Sequence, residues 1–62
     1  MTFEKSIVSA DSIEKDTIIA LNMLAYKKPG NGIPARNYKD LIGKRLKNNV
    51  NKDYKFKWED FE

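Results

Sequence analysis

The sequence predicts a small, mostly β domain made of two related halves. The first observation is an internal repeat: residues 9–24 lie over residues 46–61 when the chain is shifted by 37 positions, and apolar residues then fall on apolar residues. The second observation is strand-like patterning in two stretches, 6–10 and 54–58, the latter alternating apolar and charged residues. Two similar units in so short a chain favour a pseudo-two-fold pair of hairpin-like halves over a helical bundle.

The repeat decides between two interpretations of residues 11–27. Taken alone, Asp11 followed by Glu14 resembles a helix capping box, and the apolar residues fall at helical spacing, which predicts a helix. The second copy has the pattern of a turn followed by a strand, so the repeat predicts a turn and a strand here too. The aligned pairs are Ile13 with Val50, Lys15 with Lys52, Asp16 with Asp53, Ile19 with Phe56, Leu21 with Trp58 and Leu24 with Phe61.

A loop and a short helix are predicted between the two copies. Residues 27–33 read Lys-Lys-Pro-Gly-Asn-Gly-Ile, which indicates a loop because Pro29 lacks a backbone donor and glycine permits positive φ. Pro34 suits the first position of a helix that Gly43 would end as a left-handed C-cap. The face of this helix that is predicted to be core consists of Tyr38, Leu41 and Ile42.

Composition excludes several classes of site. The 62 residues contain no cysteine and no histidine, which excludes disulfides, Cys/His zinc sites and Ser–His or Cys–His nucleophile pairs. The carboxylates show no acid/base pairing pattern, so neither a catalytic residue nor a metal site is predicted in this chain. Because no apolar run nears the roughly 18 residues of a membrane span and no signal-peptide core is evident, a cytoplasmic location is expected.

Charge is unevenly distributed along the chain. Residues 1–26 carry a net charge of −2, residues 27–57 carry +8, and residues 58–62 carry −3. A basic middle suits an anionic partner, such as nucleic acid, a phosphorylated substrate or an acidic protein face. It is equally typical of a solvated, lysine-rich surface, so the charge alone leaves both interpretations open.

Three aromatic residues alternate with lysines near the C-terminus. Tyr54, Phe56 and Trp58 in this pattern are typical of a stacking platform for single-stranded nucleic acid. However, Phe56 and Trp58 align with apolar positions of the first copy, which favours a core role for both. A free-standing basic binding module, for nucleic acid or an acidic partner, is therefore the alternative interpretation of the chain.

Four stretches stand in an informative order: Ser-Ile-Val-Ser-Ala at 6–10, Lys-Asp at 15–16, Lys-Lys-Pro-Gly-Asn-Gly-Ile at 27–33 and Leu-Ile-Gly-Lys at 41–44. Together they resemble the C-terminal domain of N-acetylneuraminate (sialic acid) synthases and of the related legionaminate and pseudaminate synthases. The resemblance implies a β-clip fold, the SAF or type III antifreeze-like fold, with short winding strands and one or two short helical turns. The internal repeat predicts the same pseudo-two-fold symmetry independently.

The resemblance also implies a function. Residues 1–62 would be one SAF domain excised from a larger synthase whose N-terminal TIM barrel is absent. In that family the barrel condenses phosphoenolpyruvate with an N-acylated mannosamine-type sugar, assisted by a divalent metal (Mn or Mg) that belongs to the barrel. Each small domain covers the barrel of the partner subunit in a domain-swapped homodimer. This chain would then be a non-catalytic lid without a cofactor of its own.

Lys28 is the substrate-binding residue that the resemblance implies, and Asn31, which lies between two glycines, is a second candidate for substrate binding. The family loop normally reads Arg-Pro-Gly-Asn-Gly, and its arginine reaches the sugar. Lys28 keeps the positive charge at that position but lacks the planar fork of arginine. Asn31 either holds the loop together through its amide or touches the ligand, and loop architecture is favoured. A second departure is Phe-Glu-Lys-Ser at residues 3–6, where the family often has Phe-Arg-Arg-Ser at the junction with the barrel.

Overall fold

The structure, a computed structural model, describes residues 4–28 and 31–62. Its paired strands, β1 and β2, form an antiparallel ladder with Ser6 opposite Lys27 and Ser9 opposite Leu24. Isolated antiparallel bridges supply much of the remaining pairing, so the described chain is mostly β, as predicted. The elements are β1 (Ser6–Ser9), a first 3-10 helix (Leu21–Met23), β2 (Leu24–Lys27), a second 3-10 helix (Ala35–Asn37), α1 (Tyr38–Leu41) and a third 3-10 helix (Trp58–Asp60).

β1 lies at the centre of the fold. All four of its residues are buried, and its backbone forms hydrogen bonds along both edges. One edge pairs with β2. On the other edge, the Ile7 N–H donates to the Ile33 carbonyl (2.9 Å), and the Ile7 carbonyl accepts from the Phe56 N–H (3.1 Å). The β-branched pair Ile7 and Val8 favours this extended conformation and packs well on a pleated surface.

The two serines of β1 are buried, and each satisfies its hydroxyl group with loop backbone. Ser9 Oγ donates to the Asn51 carbonyl (2.6 Å) and accepts from the Tyr54 N–H (3.0 Å). Ser6 Oγ accepts from the Gly32 N–H (2.9 Å). A buried hydroxyl group without a partner costs roughly 1–3 kcal/mol. The serines therefore hold two loops in place against the central strand.

The backbone of the two repeat copies is related by a pseudo-two-fold symmetry axis. Ile13 and Val50, which are aligned with each other, exchange both backbone hydrogen bonds, at 3.0 and 2.9 Å, as residues beside a two-fold axis do. Asp16 and Asp53 both adopt positive φ, at 71° and 65°. The first and third 3-10 helices occupy equivalent positions in the two copies. The symmetry that the sequence predicts is therefore confirmed.

Residues 11–27 contain no α-helix. The chain bridges at Ile13, turns at residues 15–16, bridges again at Ile18, and then enters the first 3-10 helix and β2. The turn and strand that the repeat predicts are confirmed. The helical spacing of Ile13, Thr17, Leu21 and Leu24 was misleading, because Leu21 does not face the core and is 57% exposed.

The helix predicted after the loop is present but short. Pro34 is extended (ψ 143°) and precedes the second 3-10 helix instead of opening it. Gly43 follows α1 with φ of +89°, as predicted for a left-handed C-cap. Leu41 is fully buried and Tyr38 packs against the core. The core prediction for Ile42 is wrong: this residue is extended just beyond α1, which leaves 39% of it exposed.

The strand predicted at 54–58 is reduced to an isolated bridge. Lys55 bridges β1, whereas Trp58 begins the third 3-10 helix. The core prediction for Phe56 is confirmed, since it is fully buried. The same prediction for Trp58 is wrong, because the tight helical turn interrupts the period-two alternation and leaves its side chain 52% exposed.

One apolar cluster joins both halves, and Phe56 is its largest fully buried side chain. The Phe56 ring meets Tyr54 edge-on at 5.6 Å and Phe61 at 5.1 Å between centroids. Such aromatic pairs stabilise a core beyond the area that they bury. The buried members of the cluster are Ile7, Ile13, Ile19, Leu24, Ile33, Leu41, Leu46, Phe56 and Phe61.

We expect Phe56→Ala to unfold the domain at 25 °C. Removing a buried phenylalanine costs about 3–5 kcal/mol, and a core of this size supplies a net stability of only about 3–5 kcal/mol. Circular dichroism during urea titration should show little folded population for this variant.

Trp58→Ala is the matched control for Phe56→Ala. It also removes an aromatic side chain from the second copy, but one that is half-exposed, so the free energy of unfolding should change by about 0.5 kcal/mol or less. Equal destabilisation by the two substitutions would contradict the assignment of Phe56 to the core and Trp58 to the surface.

Candidate functional site

The loop that leaves β2 carries both residues that the sequence singles out. Lys28 directly follows β2 and is exposed, and Asn31 is exposed further along the same loop. The predicted loop roles of Pro29 and Gly30 fall outside the described residues. The described parts of this loop are the end of β2 and residues 31–33.

Lys55 holds residues 31 and 32 of this loop. Its Nζ donates to Asn31 Oδ1 at 2.6 Å. A Cβ atom added to Gly32 would lie 2.9 Å from Lys55 Cγ and 3.3 Å from Ser6 Oγ, so the lysine stem and the buried serine occupy the space that a side chain would need. Glycine is required here by close packing. The loop is thus fastened both to β1 and to the segment that bridges β1.

A cleft of about 370 Å³ opens beside the loop. Residues 31–33 line one part of it and residues 56–59 line the other. Trp58 is its large exposed apolar group, while Asn31 and Lys57 add polar atoms. A concave, partly apolar surface with a few polar groups is suited to contact with a small molecule or with a partner.

Tyr54 and Asp60 stabilise the 3-10 helix that carries Trp58. The Tyr54 hydroxyl donates to the Asp60 carboxylate, at 3.1 Å to Oδ1 and 3.0 Å to Oδ2, and Asp60 Oδ2 also accepts from the Lys57 N–H at 2.8 Å. Burial raises the pKa of Tyr54 above its usual value. The hydrogen bond to Asp60 raises this pKa further, as do the negative charges of Asp60 and Glu59.

Glu4 and Arg36 connect the segment before β1 to the second 3-10 helix. Both carboxylate oxygens of Glu4 accept from Arg36 Nη1. Because the Arg36 side chain is 72% exposed, the pair adds little stability.

In the alternative interpretation, a stacking platform for nucleic acid, two of the three aromatic rings are not open to stacking. Phe56 is in the core and Tyr54 is half-buried, so Trp58 alone of the three presents an open ring. The basic middle is also partly neutralised by the acidic ends of the chain. Arg45 pairs with Glu62 at 2.9 Å, for example. A row of stacked bases has no corresponding row of rings here.

Three further features of the described residues bear on function. Within residues 4–28 and 31–62, no three carboxylate, histidine or cysteine side chains gather as a metal-binding group would require. Over the same ranges, none of the helices has the length and apolar character needed to cross a bilayer. A second cleft, of about 320 Å³, contains Asp11 and Glu14, both exposed.

Comparison with known families decides the assignment. The sequence model of the SAF domain matches residues 4–62. This chain belongs to the SAF domain family. The SAF domain superposes with a TM-score of 0.89 on the solution structure of an antifreeze-protein-like domain in the human N-acetylneuraminic acid phosphate synthase gene, at 27% identity, covering 95% of this chain and 76% of that chain. Among curated proteins, no sequence matches.

The SAF and antifreeze-like fold predicted from the sequence is therefore confirmed. Of the two predicted site residues, Asn31 has its side-chain oxygen engaged by Lys55, which agrees with the favoured architectural role. Substrate contact by Lys28 and Asn31 stays a prediction. Sequence reasoning missed Lys55 itself. Its alternation with Phe56 indicates an outward side chain, but no local pattern indicates that it reaches Gly32, more than twenty positions away.

We expect Gly32→Ala to destabilise the SAF domain by about 1–3 kcal/mol, because the new methyl group overlaps the Lys55 stem. Adding Lys55→Ala should recover part of that loss, with a coupling free energy of at least about 0.5 kcal/mol in a double-mutant cycle. Urea unfolding of the two single variants and the double variant measures it. Lys52→Ala, which removes an exposed lysine from the same half, should recover nothing. Strict additivity of Gly32→Ala and Lys55→Ala would contradict the packing described here.

The Tyr54–Asp60 hydrogen bond should make stability depend on pH in the alkaline range. Because the folded state raises the pKa of Tyr54, the stabilisation is complete below the unfolded value of about 10. It is lost as the pH rises through the higher folded value. We expect the wild type to lose its stability advantage over Tyr54→Phe as the pH rises above about 10, as measured by urea unfolding. Parallel stability curves for the two proteins would contradict this expectation.

Proposed function

We propose that this chain is the substrate-covering C-terminal domain of a sialic acid (N-acetylneuraminate-type) synthase. The observation that carries the proposal is the likeness, at a TM-score of 0.89, to the antifreeze-like domain in the human N-acetylneuraminic acid phosphate synthase gene. That likeness covers 95% of this chain and comes with the SAF family match over residues 4–62. The parent enzyme would condense phosphoenolpyruvate with an N-acylated mannosamine-type sugar.

In this proposal the domain acts as a lid and performs no chemistry. Each copy would cover the barrel of the partner subunit in a domain-swapped homodimer, since barrel enzymes place their reacting groups at the C-terminal face of the barrel. Closing that face excludes water and strengthens the electrostatic interactions within it. The isolated chain would be catalytically silent. A divalent metal (Mn or Mg) and the general base would belong to the barrel.

The loop after β2 is the part of the domain that would meet the sugar. Lys28 would supply a positive charge to oxygen atoms of the substrate, and Asn31 would supply amide hydrogen-bond donors. Lysine is a point charge with rotatable donors, whereas arginine offers a rigid fork that binds two oxygens together. We therefore propose that Lys28 binds the sugar with less geometric selectivity than the family arginine does.

Lys28→Ala in the full-length synthase should raise the KM for the sugar by about tenfold while changing kcat little, as expected for one charged hydrogen bond in the lid. The KM for phosphoenolpyruvate should stay constant. Phosphate release from phosphoenolpyruvate and N-acetylmannosamine is the measurement.

Lys39→Ala, which removes an exposed lysine from α1, is the matched control and should behave as the wild type. If the enzyme turns over and Lys28→Ala changes nothing, the role of Lys28 falls but the domain assignment survives. If no acylated mannosamine-type sugar reacts, the synthase assignment falls. Salt-sensitive binding of a single-stranded oligonucleotide by this chain would then favour the basic binding module.

A further inference from the structure

Lys55 reaches residues 31 and 32 of the loop from the second half of the domain. Its ammonium group binds Asn31 Oδ1 at 2.6 Å, and its Cγ lies where a side chain at residue 32 would have to go. These are two separate contacts, one polar and one steric. Both concern neighbouring residues of the loop that the proposed function places against the sugar.

The backbone of Lys55 is held more firmly than that of a typical surface lysine. Lys55 bridges Val8 in the centre of β1. On either side of it, the Tyr54 carbonyl accepts from the Ser9 N–H at 3.0 Å, and the Phe56 N–H donates to the Ile7 carbonyl at 3.1 Å. The first carbons of the Lys55 side chain therefore start from a backbone segment that is hydrogen-bonded to β1, the most buried strand of the domain. Because the first part of the side chain is anchored, Lys55 loses less conformational entropy when its ammonium group binds.

The chemistry of the contact sets the orientation of the Asn31 amide. A lysine ammonium group has three donors and no acceptor, so it can bind only the oxygen of an asparagine amide. With Oδ1 turned towards Lys55, the amide nitrogen is left to donate elsewhere. Asn31 then offers its surroundings hydrogen-bond donors, and the nearby charge of Lys55 polarises the amide to make those donors stronger.

We propose that Lys55 is a positioning residue that holds Asn31 as a hydrogen-bond donor for an oxygen acceptor of the sugar. The inference rests on the proposed function, because that function makes the loop the sugar-facing surface. Lys55 itself need not touch the substrate. The ligand group selected in this way is a carbonyl, hydroxyl or carboxylate oxygen, and a group that can only donate is rejected.

The first test uses nuclear magnetic resonance on this 62-residue chain and is independent of enzyme activity. Lys55→Met keeps most of the apolar stem against Gly32 but removes the ammonium group. We expect it to shift the Asn31 side-chain amide signals, while Lys52→Met, an exposed lysine in the neighbouring turn, leaves them in place. Unchanged Asn31 signals in Lys55→Met would overturn the proposed contact.

The second test uses the full-length synthase. Lys55→Met and Asn31→Ala should each raise the KM for the sugar by about fivefold with kcat nearly unchanged, and the double variant should be no worse than Asn31→Ala alone. Lys55→Arg, which restores a cationic donor, should recover part of the affinity. If the two substitutions acted independently, their fold-changes in the KM for the sugar would multiply in the double variant. That result would overturn the positioning role and indicate that Lys55 touches the substrate directly.

The two tests separate failure of this inference from failure of the proposed function. If the Asn31 signals respond to Lys55→Met but no sugar reacts with the parent protein, the synthase assignment fails while the contact stands, and Lys55 has no positioning role for a sugar. If the parent turns over and Lys55→Met leaves every KM unchanged, the synthase assignment stands and the positioning role of Lys55 is overturned.

Discussion

The domain depends on one short strand that is hydrogen-bonded on both edges. β1 is only four residues long, yet it pairs with β2 on one side and with residues 33 and 54–56 on the other. A strand in that position has no edge open to water, so every polar group on it needs a partner inside the protein. The buried hydroxyl groups of Ser6 and Ser9 meet this need by binding loop backbone. The central strand therefore determines the positions of both loops.

The pseudo-two-fold explains how so small a chain forms a closed core without disulfides. Each half contributes a turn with an aspartate at positive φ and a single-turn 3-10 helix, and the halves meet at the reciprocal pair Ile13 and Val50. Asp is among the few residues other than glycine that tolerate the left-handed region. Two similar halves that bury the same kinds of side chain close the core from both sides.

The symmetry is not kept on the surface, and the candidate site lies where it is broken. Position 18 of the first copy is isoleucine, while its equivalent in the second copy is Lys55, which reaches the loop and binds Asn31. Trp58 replaces Leu21 at equivalent places on the two 3-10 helices, and both are exposed. Most core positions are apolar in both copies because packing constrains them, the buried pair Ser9 and Leu46 being an exception. Surface positions were free to diverge, and a binding function can be built only there.

The sequence by itself determined the mostly β class, the repeat, the glycine cap after α1 and the resemblance that the SAF family match confirms. All of these features follow from residue types and from their spacing along the chain, which the sequence alone shows. Only the tertiary structure decided that Ile42 and Trp58 are exposed, since a short helix end and a 3-10 turn interrupt the periodicity that predicted burial. Only the tertiary structure placed Lys55 on Asn31 and Gly32. That contact joins residues distant in the chain, and it exists because β1 pairs with both of their segments at once.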